Sequence, residues 1–269
     1  MTFQLRGAVA VITGAGGGIG AALADILAAR GCALALADID ATTLEAVAVT
    51  ARRHGVTVST HHLDVADPDQ VAALPQAVLA AHGRVSVLVN NAGVALGGTF
   101  DEVPEAAFDW LMAVNFSGTV RMTRAFLPLL RREPAAHIVN LSSLFGIIAP
   151  PGQVAYVASK FAVRGFSEAL RHELEGSPVS LTVVHPGGVR TGIAVNARRY
   201  GLSNRDVEAQ AKTWDKLLRL SPDVAAAAIA GAIERRAKRL LIGQDARQAA
   251  WLQRLVPVDY WSIIRTLMR

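Results

Sequence analysis

The sequence predicts a doubly wound α/β fold, a single domain in which about seven parallel strands are covered by helices on both faces. Three observations carry that expectation. Short apolar runs alternate with longer helix-period segments along the chain, the first apolar run leads into a glycine-rich turn, and an acid closes the second run. Alternation of this kind specifies a parallel sheet whose ligands sit at the carboxyl ends of the strands. The apolar runs place strands near residues 8–13, 32–38, 56–61, 85–90, 137–142, 180–185 and 239–243. Helix-period segments lie near 18–30, 41–54, 67–82, 105–132, 156–176 and 222–236. No internal repeat, linker or low-complexity tract divides the chain, so residues 1–243 read as one domain and 244–269 as its C-terminal extension.

The first strand, Ala8-Val9-Ala10-Val11-Ile12, runs straight into Thr13-Gly14-Ala15-Gly16-Gly17-Gly18-Ile19-Gly20. The helix that follows has Ile19, Leu23, Ile26 and Leu27 on one face. Strand, glycine turn and helix in this order make a Rossmann-like diphosphate site. The backbone approaches closely, and the helix N-terminus presents unpaired N–H groups. Gly14, Gly18, Ile19 and Gly20 are the candidate contacts. The second run, Cys32 to Ala37, ends at Asp38, eighteen residues beyond Gly20, where such a unit places an acid on the adenosine ribose. A carboxylate there accepts hydrogen bonds from the ribose hydroxyls and repels a 2′-phosphate by roughly 3 kcal/mol per charge at ~5 Å and an effective dielectric of ~20. The glycine turn holds no Arg or Lys, and Ile39 follows the acid, so the sequence favours NAD over NADP. The competing reading is a strand-closing acid ahead of Asp40, which can cap the next helix.

Tyr156 and Lys160 stand four residues apart, on one face of a helix if the stretch is helical, with Ser143 thirteen residues before the tyrosine. A phenol with a pKa of ~10 is a poor base at neutral pH, and a fixed cation nearby favours the phenolate. Lowering it by about two or three units asks for roughly 3–4 kcal/mol, within reach of a close charge in a partly dry cleft. Ser143 at the mouth of that cleft can hold an alcohol or carbonyl oxygen. Without the nucleotide turn, a packed ring and a solvated charge would explain the same spacing.

With these pieces in place the chain resembles the short-chain dehydrogenase/reductase family over nearly all of residues 5–245. The matching signatures are Thr13-Gly14-x-x-x-Gly18-Ile19-Gly20, Asp64-Val65, Asn90-Asn91-Ala92-Gly93, Asn115, Ser143, Tyr156-x-x-x-Lys160 and Pro186-Gly187-x-Val189-x-Thr191. The resemblance implies that Asp64 and Val65 meet the adenine and that Asn91, Ala92 and Gly93 line the cofactor. It implies that Pro186, Val189 and Thr191 meet the nicotinamide carboxamide and diphosphate. By the same resemblance Tyr156 exchanges the proton with substrate, and Lys160 lowers the phenol's pKa and hydrogen-bonds the nicotinamide ribose. Ser143 stabilises the developing alkoxide, and Asn115 holds a water that passes the proton outward. Relatives pair through the long helices, here near 105–132 and 156–176, so a homodimer or homotetramer is expected.

Composition agrees. The 269 residues are 52% apolar and 18% charged, enough for a large core. No apolar run reaches the roughly 18 residues that cross a bilayer, and no charged-then-apolar leader precedes the first strand, so a soluble cytoplasmic protein is expected. A single cysteine, Cys32, excludes an internal disulfide and reads as a small core residue. No spacing of His, Cys and acids suggests a metal site, and His61-His62 read as a solvated pair.

Two regions lie outside the shared pattern. Residues 192–220, with Tyr200, Trp214 and Leu217-Leu218, occupy the position of the family's substrate lid; the alternative is an ordinary surface helix pair. The tail from Gln244 to Arg269 interleaves Trp251, Leu252, Leu255, Tyr260, Trp261, Ile263, Ile264 and Leu267 with arginines. From residue 190 onward there are 15 basic and 7 acidic residues, against 12 and 15 before it, so the net charge of +5 belongs to the C-terminal part. The tail can close a substrate pocket on its own or a neighbouring subunit, rest on an anionic membrane surface, or form a solvated face. Nucleic acid is excluded as a partner, because no recognition motif accompanies the charge.

The expected function is NAD-dependent hydride transfer to or from a medium-sized hydrophobic secondary alcohol or ketone. Phe145-Gly146-Ile147-Ile148-Ala149 beside Ser143 supplies the apolar walls. The alternatives are NADP-dependent ketone reduction and, from another class, a dinucleotide-binding redox regulator without turnover.

Overall fold

Apolar residues fill both faces of the central strands, as a parallel sheet covered by helices requires. The computed structural model describes residues 2–201 and 218–267. β1 (Val9–Thr13) leads to α1 (Gly18–Ala29), β2 (Ala33–Asp38) to α2 (Ala41–Arg52), and β3 (Val58–His62) to α3 (Pro68–His82). β4 (Val87–Asn90) is followed by the short β5 (Leu96–Gly97), then α4 (Glu105–Met112), a π-helical turn (Ala113–Ser117) and α5 (Gly118–Leu130). β6 (Ala136–Leu141), a 3₁₀ turn (Leu144–Gly146), α6 (Val154–Glu173) and β7 (Val179–Pro186) come next. After α7 (Gly192–Val195) and β8 (Arg198–Arg199) come α8 (Pro222–Glu234), β9 (Arg239–Ile242), α9 (Gln244–Leu255) and α10 (Tyr260–Leu267).

Seven strands form one parallel sheet in the order β3-β2-β1-β4-β6-β7-β9. The chain leaves β1 in one direction through β2 and in the other through β4, which opens a crevice at the carboxyl end of β1. On one face α1, α2 and α8 bury Leu23, Leu27, Leu44, Ile229 and Ile233. On the other, α3, α5 and α6 bury Val78, Met122, Phe126, Leu130 and Leu170. Cys32 lies wholly inside the first core, where burial pushes its thiol pKa up to about 12.

Asp40 caps α2 by accepting from the amides of Thr42 and Thr43, and Asp67 does the same for α3 through Asp69 and Gln70. Asp38 and Asp40 therefore have separate tasks. The long helix expected over 105–132 is broken by the π-helical turn around Asn115. There the side chains of Thr119 and Thr123 bond back to the carbonyls of Asn115 and Thr119, at 3.0 and 2.7 Å, and Asn115 is drawn sideways onto Val94. Such insertions into the backbone ladder widen a helix without ending it.

Two-residue β5 and β8 pair in a separate parallel ribbon that no periodicity announces. Of the expected lid, α7, β8, Tyr200 and Leu218 are described, whereas Trp214 and Leu217 lie outside the described residues. His61 is half-buried and shares the Ser59 hydroxyl with His82, each at 2.8 Å, so only His62 of the expected solvated pair is exposed. Burial, reinforced by the charge of His82, lowers the pKa of His61. Among the described residues no group of three or more metal-ligating side chains occurs, and no helix is long and apolar enough to cross a membrane.

The tail folds as two helices. Ala246 seats α9 in the protein, while Arg247, Trp251, Arg254 and Leu255 face outward, Trp251 being 65% and Leu255 72% exposed. The Tyr260 hydroxyl accepts from the Ala149 amide at 2.9 Å, which ties α10 to the segment after Ser143.

Candidate active site

The glycine turn between β1 and α1 is held against the end of β4. Thr13 Oγ1 accepts from the amides of Asn91 and Ala92, both at 3.1 Å, and Asn91 Nδ2 donates to the carbonyls of Thr13 and Gly14 at 3.0 and 2.9 Å. Gly14 has φ +64°, and a Cβ there would lie 2.8 Å from Ala92 Cα; a Cβ on Gly20 would overlap the Gly14 carbonyl. Only bare backbone allows the turn to close this tightly. At Gly17, the N-cap of α1, no side chain is available to satisfy the first amides of the helix. Asp38 Oδ2 accepts from the Gly16 amide at 2.8 Å and Oδ1 from the Asp40 amide at 3.0 Å, so its carboxylate is fixed at the rim of the turn.

One cavity of about 1970 Å³ runs from this turn across the carboxyl ends of the strands. Its first half is lined by Gly14, Gly18, Ile19, Asp38, Asp64 and Val65. Asn91, Ala92, Gly93, Pro186, Val189 and Thr191 line its middle. The Thr191 side chain comes within 3.1 Å of where a Gly18 Cβ would stand, which joins the end of β7 to the start of α1. The volume exceeds the roughly 300–1,000 Å³ of a single-ligand pocket, as a cleft for an extended ligand requires. Unsatisfied helix amides, glycine backbone and a fixed carboxylate are the donor and acceptor set a dinucleotide needs, and they fit it.

Ser143, Tyr156 and Lys160 line the same cavity. α6 begins at Val154, so Tyr156 stands in its first turn and Lys160 one turn further on. Lys160 is 3% exposed; its Nζ lies 5.6 Å from the centroid of the Tyr156 ring and donates to the Leu141 carbonyl at 3.1 Å. The two adjacent serines divide their work. Ser142 donates to the Lys160 carbonyl at 2.9 Å, whereas the Ser143 hydroxyl accepts from the Phe145 amide at 3.1 Å and is near enough to the Tyr156 phenol to work against the rise in its pKa.

The Asn115 side chain is occupied by Val94, accepting from its amide at 2.8 Å and donating to its carbonyl at 3.0 Å. Both Asn115 Oδ1 and Lys160 Nζ lie against Gly93, within 3.4 Å of a Cβ placed there, so the structure brings Asn115 and Lys160 to one spot.

The expected electrostatics need one correction. Burial raises the Tyr156 pKa above its ordinary value, and the Ser143 hydroxyl offsets this only in part. Burial also lowers the Lys160 pKa to about 8. The lysine therefore does not by itself make the phenol acidic, because desolvation disfavours both charged forms at once.

Sequence reasoning missed two residues of the site, whereas the tail reads, among other options, as closing the pocket. Thr13 stands in the sequence as one letter of the glycine motif, yet its hydroxyl is the clasp between the glycine turn and Asn91-Ala92. His185, fully buried, hydrogen-bonds through Nδ1 to the Ser143 carbonyl at 2.9 Å. A carbonyl only accepts, so Nδ1 carries the proton, and burial keeps the ring neutral by pushing its pKa down to about 4. The tail supplies Leu252, Trp261, Ile263 and Ile264 to the cavity wall opposite Phe145 and Ile148. Their apolar character was legible, but the direction in which they pack was not.

A family model described as short chain dehydrogenase matches residues 8–200. The Mycobacterium tuberculosis protein SadH is 42% identical over 264 residues, covering 97% of this chain and 95% of that protein. A short chain dehydrogenase/reductase from Burkholderia phymatum, solved in complex with NAD, superposes with a TM-score of 0.86 at 35% identity, covering 94% of each chain. A metagenomic short-chain oxidoreductase solved in complex with NADP gives a TM-score of 0.73 at 32% identity, covering 89% of this chain and 98% of that one.

Proposed function

The chain belongs to the short-chain dehydrogenase/reductase family of oxidoreductases, and from that premise we propose that it interconverts a hydrophobic secondary alcohol and its ketone with NAD as cofactor. The observation that carries this reading is the shared cavity, which begins at the glycine turn and Asp38 and ends at Ser143, Tyr156 and Lys160. A bound nicotinamide dinucleotide supplies the hydride chemistry.

The chain's own residues supply position and proton transfer. The amides at the start of α1 and the backbone of Gly14, Gly18 and Ile19 hold the diphosphate, while Gly20, buried behind the turn and outside the cavity lining, lets the Gly14 carbonyl pack close. Asp38 takes the ribose hydroxyls, and Asp64 and Val65 border the adenine. Asn91, Ala92 and Gly93 border the middle of the cofactor, while Pro186, Val189 and Thr191 meet its carboxamide end. Ser143 donates to the substrate oxygen, Tyr156 takes its proton in oxidation and returns it in reduction, and the Lys160 ammonium steadies the phenolate. Asn115, against Gly93 beside Lys160, fits the outward end of a proton path.

NAD is favoured because Asp38 is already fixed by the Gly16 and Asp40 amides and cannot easily swing away from a 2′-phosphate. A hydrophobic substrate is favoured by the apolar wall of Phe145, Ile148, Leu252, Trp261, Ile263 and Ile264. A homodimer or homotetramer is proposed on the family resemblance, whose members pair through the long helices.

The test is to follow nicotinamide absorbance with NAD and with NADP against a panel of aliphatic, aromatic and polycyclic secondary alcohols at alkaline pH. Turnover of the apolar members with NAD is expected. Binding of neither dinucleotide would exclude the reading.

A further inference from the structure

We propose that Asp245, in the first turn of the C-terminal helix α9, is a positioning residue for the Pro186–Val189 turn and so for the nicotinamide half of the cofactor. The inference rests on the reading of the cleft as a dinucleotide site. It goes beyond that reading by giving the tail a part in cofactor binding.

The turn after β7 continues its pairing through Gly187 to the end of β9 and through a bridge between Val189 and Leu220, and its buried amides need acceptors. Gly187 N donates to the Ile242 carbonyl at 2.9 Å, Val189 N to the Gly187 carbonyl at 2.9 Å, and Arg190 N to the Leu220 carbonyl at 2.8 Å. The amide of Gly188 is held differently, by Asp245 Oδ2 at 2.7 Å. This is the one bond among these four whose acceptor is a side chain, and that side chain belongs to the tail. A charged acceptor makes the bond shorter and stronger than its neutral neighbours.

The backbone on both sides is shaped around this carboxylate. A Cβ on Gly187 would overlap the Asp245 carboxyl group, and so would a Cβ on Gly243, which has φ +98°. Two glycines and one acid thus form a single clip. Gly243 turns the chain so that α9 starts beside β7, and Gly187 leaves room for the carboxylate to reach the amide of Gly188. Among the described residues Asp245 makes no ion pair that would compete for its oxygens. Asp245, Gly187, Gly188 and Val189 all line the cavity.

At its far end the tail is fastened again by the Tyr260–Ala149 hydrogen bond. The extension therefore spans from the turn beside the cofactor's reactive end to the segment beside Ser143. Removing the clip frees the Gly188 peptide to rotate, and the cofactor must then order it on binding.

The experiment compares full-length wild type, Asp245→Ala, Asp245→Asn and Gly187→Ala by two readouts: NADH fluorescence titration, and amide exchange at residue 188 in the ligand-free protein. Asparagine keeps an acceptor oxygen, so Asp245→Asn should stay within about three-fold of wild type in NADH affinity and keep residue 188 protected. Asp245→Ala should lose that protection and bind NADH about ten-fold more weakly, with kcat at saturating cofactor changed less than the cofactor KM. Gly187→Ala, which pushes the carboxylate out from the other side, should copy it.

A role confined to general stability would lower the melting temperature of Asp245→Ala and leave NADH affinity and local exchange unchanged, which would overturn the proposal. Failure of the wild type to bind NADH while residue 188 remains protected by Asp245 would overturn the cofactor half of the proposal and the dinucleotide reading with it. Equal exchange at residue 188 in wild type and Asp245→Ala, with NADH bound normally by both, would overturn the clip alone.

Discussion

Lys160 Nζ sits 5.6 Å from the centre of the Tyr156 ring while donating to the Leu141 carbonyl. The ammonium is anchored to the end of β6 and faces the ring across one helical turn. Burial works against both ionised forms, raising the phenol and lowering the lysine. Without ligand the pair therefore rests as a neutral phenol beside an ammonium near neutral pH. What the fold contributes is a fixed distance at which any further positive charge in the cleft acts on the phenol.

The first prediction concerns that resting state. The ultraviolet difference between wild type and Tyr156→Phe, titrated without cofactor, should show no tyrosinate below pH ~10. Adding NAD should move the onset to lower pH, since a nearby positive charge favours the phenolate. Tyrosinate at pH 7–8 in the ligand-free protein would contradict the burial argument.

Tyr156→Phe keeps the ring and its edge contact with Phe145, whose centroid lies 6.1 Å away, and removes only the hydroxyl. Turnover should fall by about 10²–10⁴, the usual worth of a positioned proton donor or acceptor. NADH binding, read by fluorescence, should stay within a few-fold. A variant with a tenth or more of wild-type activity would take Tyr156 out of the chemistry.

Lys160 makes stability depend on pH in a window set by its own shift. Its folded pKa is about 8, below its ordinary value of 10.5, so between these values the unfolded chain binds more protons than the folded one. Stability contributed at this site must then rise with pH from about 8 to 10.5, and the cost of burying the ammonium is borne in full below pH 8. That cost is on the order of 3 kcal/mol. Lys160→Met removes it. Urea denaturation should therefore find the variant more stable than wild type at pH 7, with the gap closing towards pH 10.5; parallel profiles would refute the assignment.

Asp38 holds the amides of Gly16 and Asp40 as well as facing the cleft. Asp38→Asn removes the charge and keeps an acceptor for one of the two amides, so it should raise NADP affinity by about ten-fold or more while disturbing the turn less than alanine does. Asp38→Ala should also narrow the preference, and in addition lower NAD affinity, because both amides lose their partner. Isothermal titration with the two cofactors distinguishes these effects. Unchanged selectivity in both variants would mean that another group discriminates the 2′-position.

The sequence alone determined the architecture, the strand bounds to within about two residues, and the cleft-lining positions from Gly14 to Thr191. These are local matters: apolar runs of strand length, glycines where backbone must pass close to backbone, and an acid at the end of β2. Tertiary structure decided how hard burial presses on Tyr156 and Lys160, because desolvation depends on everything packed around a group and four residues of spacing carry no record of it. It also decided where the tail goes. For Trp261, Ile263 and Ile264 the sequence put closure of a pocket on the same or a neighbouring subunit ahead of a membrane surface or a solvated face, since an apolar stripe states that it must be covered and leaves open by what. The Asp245–Gly188 and Tyr260–Ala149 bonds, between residues 57 and 111 positions apart, lay the tail along the cleft.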